Sequence, residues 1–263
     1  MLYCQVNGQQ TDVLSVNDRG FAYGDGIFTT GKISNGRLEL CPRHIARLQL
    51  GCSKLQISPP DWLMLNDDIG RISARYPLAV LKIIITAGQG GRGYSRVGTG
   101  ESCVIIQVHD YPEHYQAWSR EGIMLGICGQ KLGLNPMLSG IKHLNRLEQV
   151  FIRQELDRRS EDDLLVLNIR NEIVETSCSN VFWQADGAWF TPVLDDSGVE
   201  GLARASILAS RKDVDCVRAT LPDLENLDAM FICNAVMGAV PVRAFDGRDL
   251  DIAPVSDFKS CFS

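Results

Sequence analysis

Over much of the chain, apolar residues fall in short runs broken by Asn-Gly, Asp-Gly and glycine-rich punctuation, and helical spacing is confined to a few stretches. Asn7-Gly8 and Asn35-Gly36 are the strongest hairpin signals, because both central residues of a type I′ turn need a positive φ. They separate residues 2–6 from a following segment, and residues 28–33 from residues 38–40. Pro42 then opens a helix of about 14 residues, with Ile45, Leu48, Cys52 and Leu55 on one apolar face and Arg43 and Arg47 on another. Two apolar strands, 80–86 and 104–108, flank a glycine-rich loop.

Residues 109–115 lack a period and contain a proline, so they read as a linker between domains at 1–108 and 118–263, with 109–117 between them. Beyond it, Gly140 precedes a predicted helix over 142–159, whose apolar stripe would be Leu144, Leu147, Phe151 and Ile152. Residues 164–169 and 172–176 read as paired strands, and 180–184 pairs with 189–191 across Asp186-Gly187. A further helix begins near Gly201, and 230–233 and 240–243 read as late strands. Strands and helices mix without regular βαβ alternation, which predicts an α+β architecture in two domains.

Composition is that of a globular chain, 45% hydrophobic and 22% charged. The net charge of −6, with no basic run, argues against nucleic acid as a partner. The N-terminus lacks a secretory pattern, and no apolar run approaches the roughly 20 residues that a membrane helix needs. The nine cysteines lack any C-x-x-C pair and read as reduced, mostly buried thiols, consistent with a cytoplasmic protein. The four histidines, 44, 109, 114 and 143, lack metal-ligand spacing, so no metal is expected.

Two segments invite chemistry. Gly88-Gln-Gly90-Gly91-Arg-Gly93 satisfies G-x-G-x-x-G, but that motif works only if a helix starts there, and the glycines that follow lead into another strand. A dinucleotide site is therefore rejected; the loop either contributes Arg92 or Tyr94 to a pocket or is an ordinary surface loop. The second segment is Ser139-Gly-Ile-Lys142-His-Leu-Asn145-Arg146-Leu-Glu148-Gln. A lysine at a helix start is ordinarily solvated, but Lys142 lies between Ile141 and the apolar stripe, where desolvation or a neighbouring cation would make its amine a nucleophile and base.

That second segment resembles the cofactor-lysine segment of aminodeoxychorismate lyases, in the fold-type IV family of pyridoxal-phosphate enzymes, which also holds branched-chain and D-amino-acid aminotransferases. The resemblance runs over nearly the whole chain. It includes Asp18-Arg19-Gly20, Tyr23-Gly24-Asp25-Gly26 with Phe28, and His44-Ile45-Ala46-Arg47-Leu48. It continues with Glu175-Thr-Ser-Cys-Ser179-Asn180-Val-Phe182, Gly198-Val-Glu-Gly201-Leu-Ala-Arg204 and Cys233-Asn234-Ala235.

The resemblance implies a smaller N-terminal α+β domain and a larger C-terminal mixed α/β pseudo-barrel, with pyridoxal 5′-phosphate between them. Lys142 would be the catalytic lysine that binds the cofactor. Arg47, the Leu202 and Ala203 amides after Gly201, and Asn234 with Ala235 would hold its phosphate, and Ser179 and Asn180 would complete the site. Glu175 would face the ring nitrogen, since a nearby carboxylate favours the protonated ring. Taken singly, Arg47 reads equally as a solvated partner of nearby acids, and Glu175 as a surface acid opposite Arg170. Thr30, Arg92 and Tyr94 are the candidates for the substrate's carboxylates.

The implied activity is conversion of 4-amino-4-deoxychorismate to 4-aminobenzoate and pyruvate, for folate synthesis, by a homodimer. A D-amino-acid or branched-chain aminotransferase would share every cofactor residue, and a non-catalytic pyridoxal-phosphate-binding module is a third reading. His143-Leu144-Asn145-Arg146, and Phe28-Thr29-Thr30 in place of a Phe-Glu pair, favour the lyase.

Overall fold

The computed structural model of the chain describes residues 1–262. They fall into two compact units: 1–112 with 142–145, and 113–141 with 146–262.

The first unit runs β1 (Tyr3–Val6), α1 (Arg19–Tyr23), β2 (Gly26–Ser34), β3 (Arg37–Leu38), α2 (Cys41–Leu55), α3 (Trp62–Ser73), β4 (Leu78–Thr86) and β5 (Cys103–His109). Its sheet has the order β1-β5-β4-β2-β3, and every pairing is antiparallel. Asn35 and Gly36 both take positive φ and turn β2 into β3, as the dipeptide predicts. Asn7-Gly8 also turns, but leads only to a bridge between Val6 and Gln9; β1 pairs with β5 instead. β2 and β4 alternate buried and half-buried residues, so one sheet face carries Ile27, Thr29 and Ile33 into the core with His44, Leu48 and Cys52 of α2. The other face carries Phe28, Thr30 and Lys32 of β2 beside Lys82 and Ile84 of β4. α3, capped by Asp61 and burying Leu65, Ile69 and Ile72, was not anticipated from the sequence.

The second unit begins with α4 (His114–Glu121) and β6 (Ile123–Leu132), so residues 109–117 span the end of a strand and the start of a helix. It continues with α5 (Leu147–Leu156), β7 (Asp163–Asn168), β8 (Ile173–Thr176), β9 (Asn180–Ala185), β10 (Ala188–Pro192), α6 (Leu202–Ser210), β11 (Val214–Val217), β12 (Leu227–Asn234), β13 (Gly238–Phe245) and β14 (Arg248–Asp249). The large sheet has the order β11-β10-β9-β12-β13-β6-β7-β8 and mixes parallel with antiparallel pairs. β8 ends this path, yet runs into β9 through a tight turn in which Thr176 N donates to Ser179 O at 2.8 Å. The sheet must therefore curl back on itself as a half-barrel. One core cluster includes Leu125, Leu165, Val181, Ile232 and Val240; another stacks Phe182, Phe231 and Phe258.

The predicted helix over 142–159 is corrected. Residues 142–146 are not helical, and α5 starts at Leu147. The expected stripe does not form either: Leu147 and Phe151 are exposed, and α5 buries Ile152 and Leu156. The reason is that the backbone of 142–144 bonds to β2 rather than to its own following turn.

All nine cysteines are free, five of them buried. Burial pushes the thiols of Cys52, Cys103 and Cys128 up to about 11, which leaves them unreactive. Among the described residues, no helix is long and apolar enough to cross a membrane, and no group of three or more His, Cys, Asp or Glu side chains is placed to hold a metal ion.

Candidate active site

In the first unit, residues 142–144 run antiparallel along the start of β2. Phe28 N donates to Lys142 O at 2.9 Å, Leu144 N donates to Gly26 O at 3.0 Å, and His143 lies opposite Ile27. Residues facing each other in such a pair project to the same side. Lys142 accordingly sits over Phe28, its Nζ 4.7 Å from the ring centroid. The glycines of the Tyr23-Gly24-Asp25-Gly26 motif make room for this segment. A Cβ on Gly24, which has φ +64°, would lie 2.5 Å from Asn145 Oδ1, and one on Gly26 would lie 2.7 Å from Leu144 Cδ1.

A second lysine reaches the same ring from the other edge of β2. Lys82 Nζ is 5.2 Å from the Phe28 centroid, and Lys82 is directly paired with Thr30. Burial pushes the Lys82 ammonium below its ordinary pKa. Its only sequence signal is a single charge inside the apolar run 78–86, and sequence reasoning missed it.

On the opposite face of the same sheet, His44 of α2 is fully buried, with Nδ1 2.6 Å from Thr29 Oγ1. Burial first, then the positive charge of Arg47, holds this imidazole neutral, with a pKa of about 3. Arg47 lies one turn further along α2 and is half-buried. Arg92 and Tyr94 are exposed on the loop between β4 and β5. Tyr94, 89% exposed, packs its ring 5.4 Å from that of Tyr23.

In the second unit, the other predicted residues converge. Glu175 is 6% exposed on β8 and accepts a hydrogen bond from Val199 N at 2.9 Å. It is thus not a surface acid facing Arg170, which instead pairs with Asp196 at 3.0 Å. Asn180 Nδ2 donates to Val199 O at 2.8 Å, and Asn180 Oδ1 accepts from Gly201 N at 3.0 Å. Asn234 Nδ2 donates to Ser179 Oγ at 3.1 Å, and the Asn234 carbonyl oxygen Oδ1 holds the turn after Ala235 by accepting from Val236 N and Met237 N. Gly201 caps α6 without a side-chain hydrogen bond, so no side chain caps the first-turn amides of Leu202 and Ala203, which lie at the positive end of the helix dipole. A Cβ on Gly201 would lie 2.0 Å from Asn180 Oδ1, so only glycine allows this approach.

Gly140, two residues before Lys142, bridges Val199 in the same loop. Arg146 donates to Ile141 O at 2.8 Å; burial pushes its pKa down, while the charges of Glu175 and Glu148 oppose that.

These donors suit pyridoxal phosphate. A helix start without a side-chain cap suits a phosphate. In the second unit a buried acid suits a ring nitrogen, and in the first, taken by itself, a lysine held over an aromatic ring suits the aldehyde.

The chain is similar to several known proteins. The chain is 39% identical over 248 residues to an aminodeoxychorismate lyase of Vibrio harveyi, covering 93% of this chain and 92% of the relative. It superposes on the crystal structure of 4-amino-4-deoxychorismate lyase from Pseudomonas aeruginosa with a TM-score of 0.91 and 33% identity, covering 98% and 97% of the two chains. A hypothetical aminotransferase from Mycobacterium tuberculosis in PLP-bound form has a TM-score of 0.84 at 18% identity, over 99% of this chain and 97% of that one, a likeness of fold alone. The family model for class IV amino-transferases matches residues 26–245, and with that span the chain belongs to this family.

Proposed function

We propose that the protein is a pyridoxal-phosphate-dependent lyase that splits 4-amino-4-deoxychorismate into 4-aminobenzoate and pyruvate. It would act as a cytoplasmic homodimer in folate synthesis. The observation that carries the reading is the placement of Lys142, drawn out of α5 and fixed over Phe28 by backbone pairing with β2, in a chain 39% identical to a lyase of that name.

When bound, the cofactor supplies an electron sink for the carbon that bears the substrate's amine. Glu175 would hold the proton on the ring nitrogen. The first-turn amides of α6 and Arg47 would bind the phosphate, with Ser179, Asn180, Asn234 and Ala235 shaping its cradle. Lys142 anchors the cofactor at rest; its amine then takes the proton from the amine-bearing carbon. As the enolpyruvyl C–O bond breaks and the ring becomes aromatic, the same amine returns a proton to the departing methylene carbon, giving pyruvate. Atoms balance without any oxidant or second substrate. Lys82 and Thr30, beside Phe28 on the same sheet face, supply a cation and a hydroxyl for one substrate carboxylate. Arg92 supplies a cation for the other.

The test is pyruvate release from 4-amino-4-deoxychorismate by the purified holoenzyme with no keto acid present. Amino transfer that needs a keto-acid acceptor would replace this reading with the aminotransferase, and a protein that takes up no pyridoxal phosphate would remove both.

A further inference from the structure

The loop between β4 and β5 holds six glycines from Gly88 to Gly100, a composition that gives a backbone wide conformational freedom. Yet it is gripped by one buried side chain. Arg19, 3% exposed at the start of α1, donates from Nη1 to Gly90 O at 3.4 Å, Gly93 O at 3.1 Å and Ser95 O at 3.1 Å, and from Nη2 to Tyr94 O at 3.1 Å. Its Nε donates to Asp25 Oδ2 at 2.8 Å. The same carboxylate accepts a bidentate pair from Arg96, at 2.9 Å from Nε and by a second bond from Nη2. Burial alone would raise the Asp25 pKa, but hydrogen bonds from Arg96 and Arg19 hold it below the usual carboxylate value, so the triad stays ionised at neutral pH.

Arg96 also ties the loop to the frame. Its Nη1 donates to Leu55 O and to Gln56 O, the latter at 3.1 Å, at the C-terminal end of α2. A cation there is favoured by the helix dipole. The loop carrying Arg92 and the helix carrying Arg47 therefore share one ionic anchor.

The grip brackets Arg92. Gly90 O is held before it and Gly93 O directly after it, while its own side chain remains exposed. Neutral hydrogen bonds among loop residues could order a surface turn. Committing a buried arginine and a shared carboxylate to loop carbonyls is what a site needs when an exposed cation must stand at a defined place.

The geometry points to Arg19, Asp25 and Arg96 as positioning residues that fix Arg92 for binding a substrate carboxylate, so that substrate affinity depends on the triad although no member of it touches substrate. The inference rests on the lyase reading above.

It is tested on the holoenzyme with Arg96→Gln, which removes the charge, and Asp25→Asn, which keeps side-chain shape, beside Arg92→Ala and the double variant Arg96→Gln/Arg92→Ala. Pyridoxal-phosphate absorbance is recorded for each, and amide hydrogen exchange across 88–100 is followed with and without cofactor. Arg96→Gln should speed exchange in the loop, keep the cofactor absorbance, and raise KM about tenfold with kcat within a factor of about two. In the Arg92→Ala background it should add no further rise in KM, because coupled residues are not additive. Faster loop exchange with unchanged KM overturns the inference, as does a full additional loss in the double variant. If Arg96→Gln does not fold, Asp25→Asn answers the same question. Failure of the lyase reading shows separately, as wild-type holoenzyme that releases no pyruvate.

Discussion

Two lysine side chains, those of Lys142 and Lys82, bear on the ring of Phe28, and different tasks are proposed for them. Lys142→Ala should lose activity by at least the ~10²–10⁴-fold that a positioned acid–base group contributes, with colour from added cofactor no longer trapped by borohydride. Wild-type turnover in that variant would remove its assigned role. Lys82→Met should instead raise KM by roughly 10–100-fold, the worth of a hydrogen bond to a charged group, and Lys82→Arg should restore most of it. An unchanged KM in Lys82→Met would take Lys82 out of the substrate site.

A third titratable residue acts on stability. His44 is neutral in the fold with a pKa of about 3, against 6.5 when free, so between those values the unfolded chain binds a proton that the folded chain does not. That contribution is intact above pH 6.5 and is lost as pH falls towards 3, at up to roughly 1.4 kcal/mol per unit. His44→Gln, which cannot titrate, should flatten the decline of the denaturant midpoint over that range. An identical slope in both proteins would contradict the account.

At the level of elements, the start of α6 is where sequence and site agree most closely. A glycine followed by helix-forming Leu and Ala marks an uncapped start, and the structure adds why no side chain is tolerated at 201. Gly201→Ala should weaken pyridoxal-phosphate affinity, read by absorbance titration, more than it lowers thermal stability. Equal cofactor affinity would mean the α6 start does not hold the phosphate. The hairpins at Asn35-Gly36 and Asp186-Gly187 were legible because positive φ at both turn residues is a local requirement. The segment 142–146 was not. Its residues suit a helix, and only the distant edge of β2, with Gly24 and Gly26 leaving room, draws it into an extended path. β6 was hidden for a related reason: Gly126 and Gly129 interrupt its pattern, while its pairing with β7 and β13 depends on residues far away in sequence.

Across the whole molecule, the mixture of α and β was readable from the absence of βαβ alternation, but the excursion of one short segment was not. Lys142–Asn145 clusters with the first unit although both flanks belong to the second, and no local pattern marks such an excursion. The residues proposed to hold the cofactor were readable as motifs whose geometry could not be foreseen: Glu175 and Asn180 both bond Val199, and Asn180 also bonds Gly201. Arg19 and Asp25 stood inside motifs and Lys82 was a lone charge in an apolar run, but their roles were not legible because Arg96 and Phe28 lie on other loops and strands. The most direct measurement of the central claim is a single-turnover assay of pure holoenzyme with 4-amino-4-deoxychorismate and no keto acid, run beside Lys142→Ala. The account predicts 4-aminobenzoate and pyruvate in equal amounts from the wild type and neither above background from the variant. Product formation that requires a keto-acid acceptor, or that survives loss of Lys142, would contradict it.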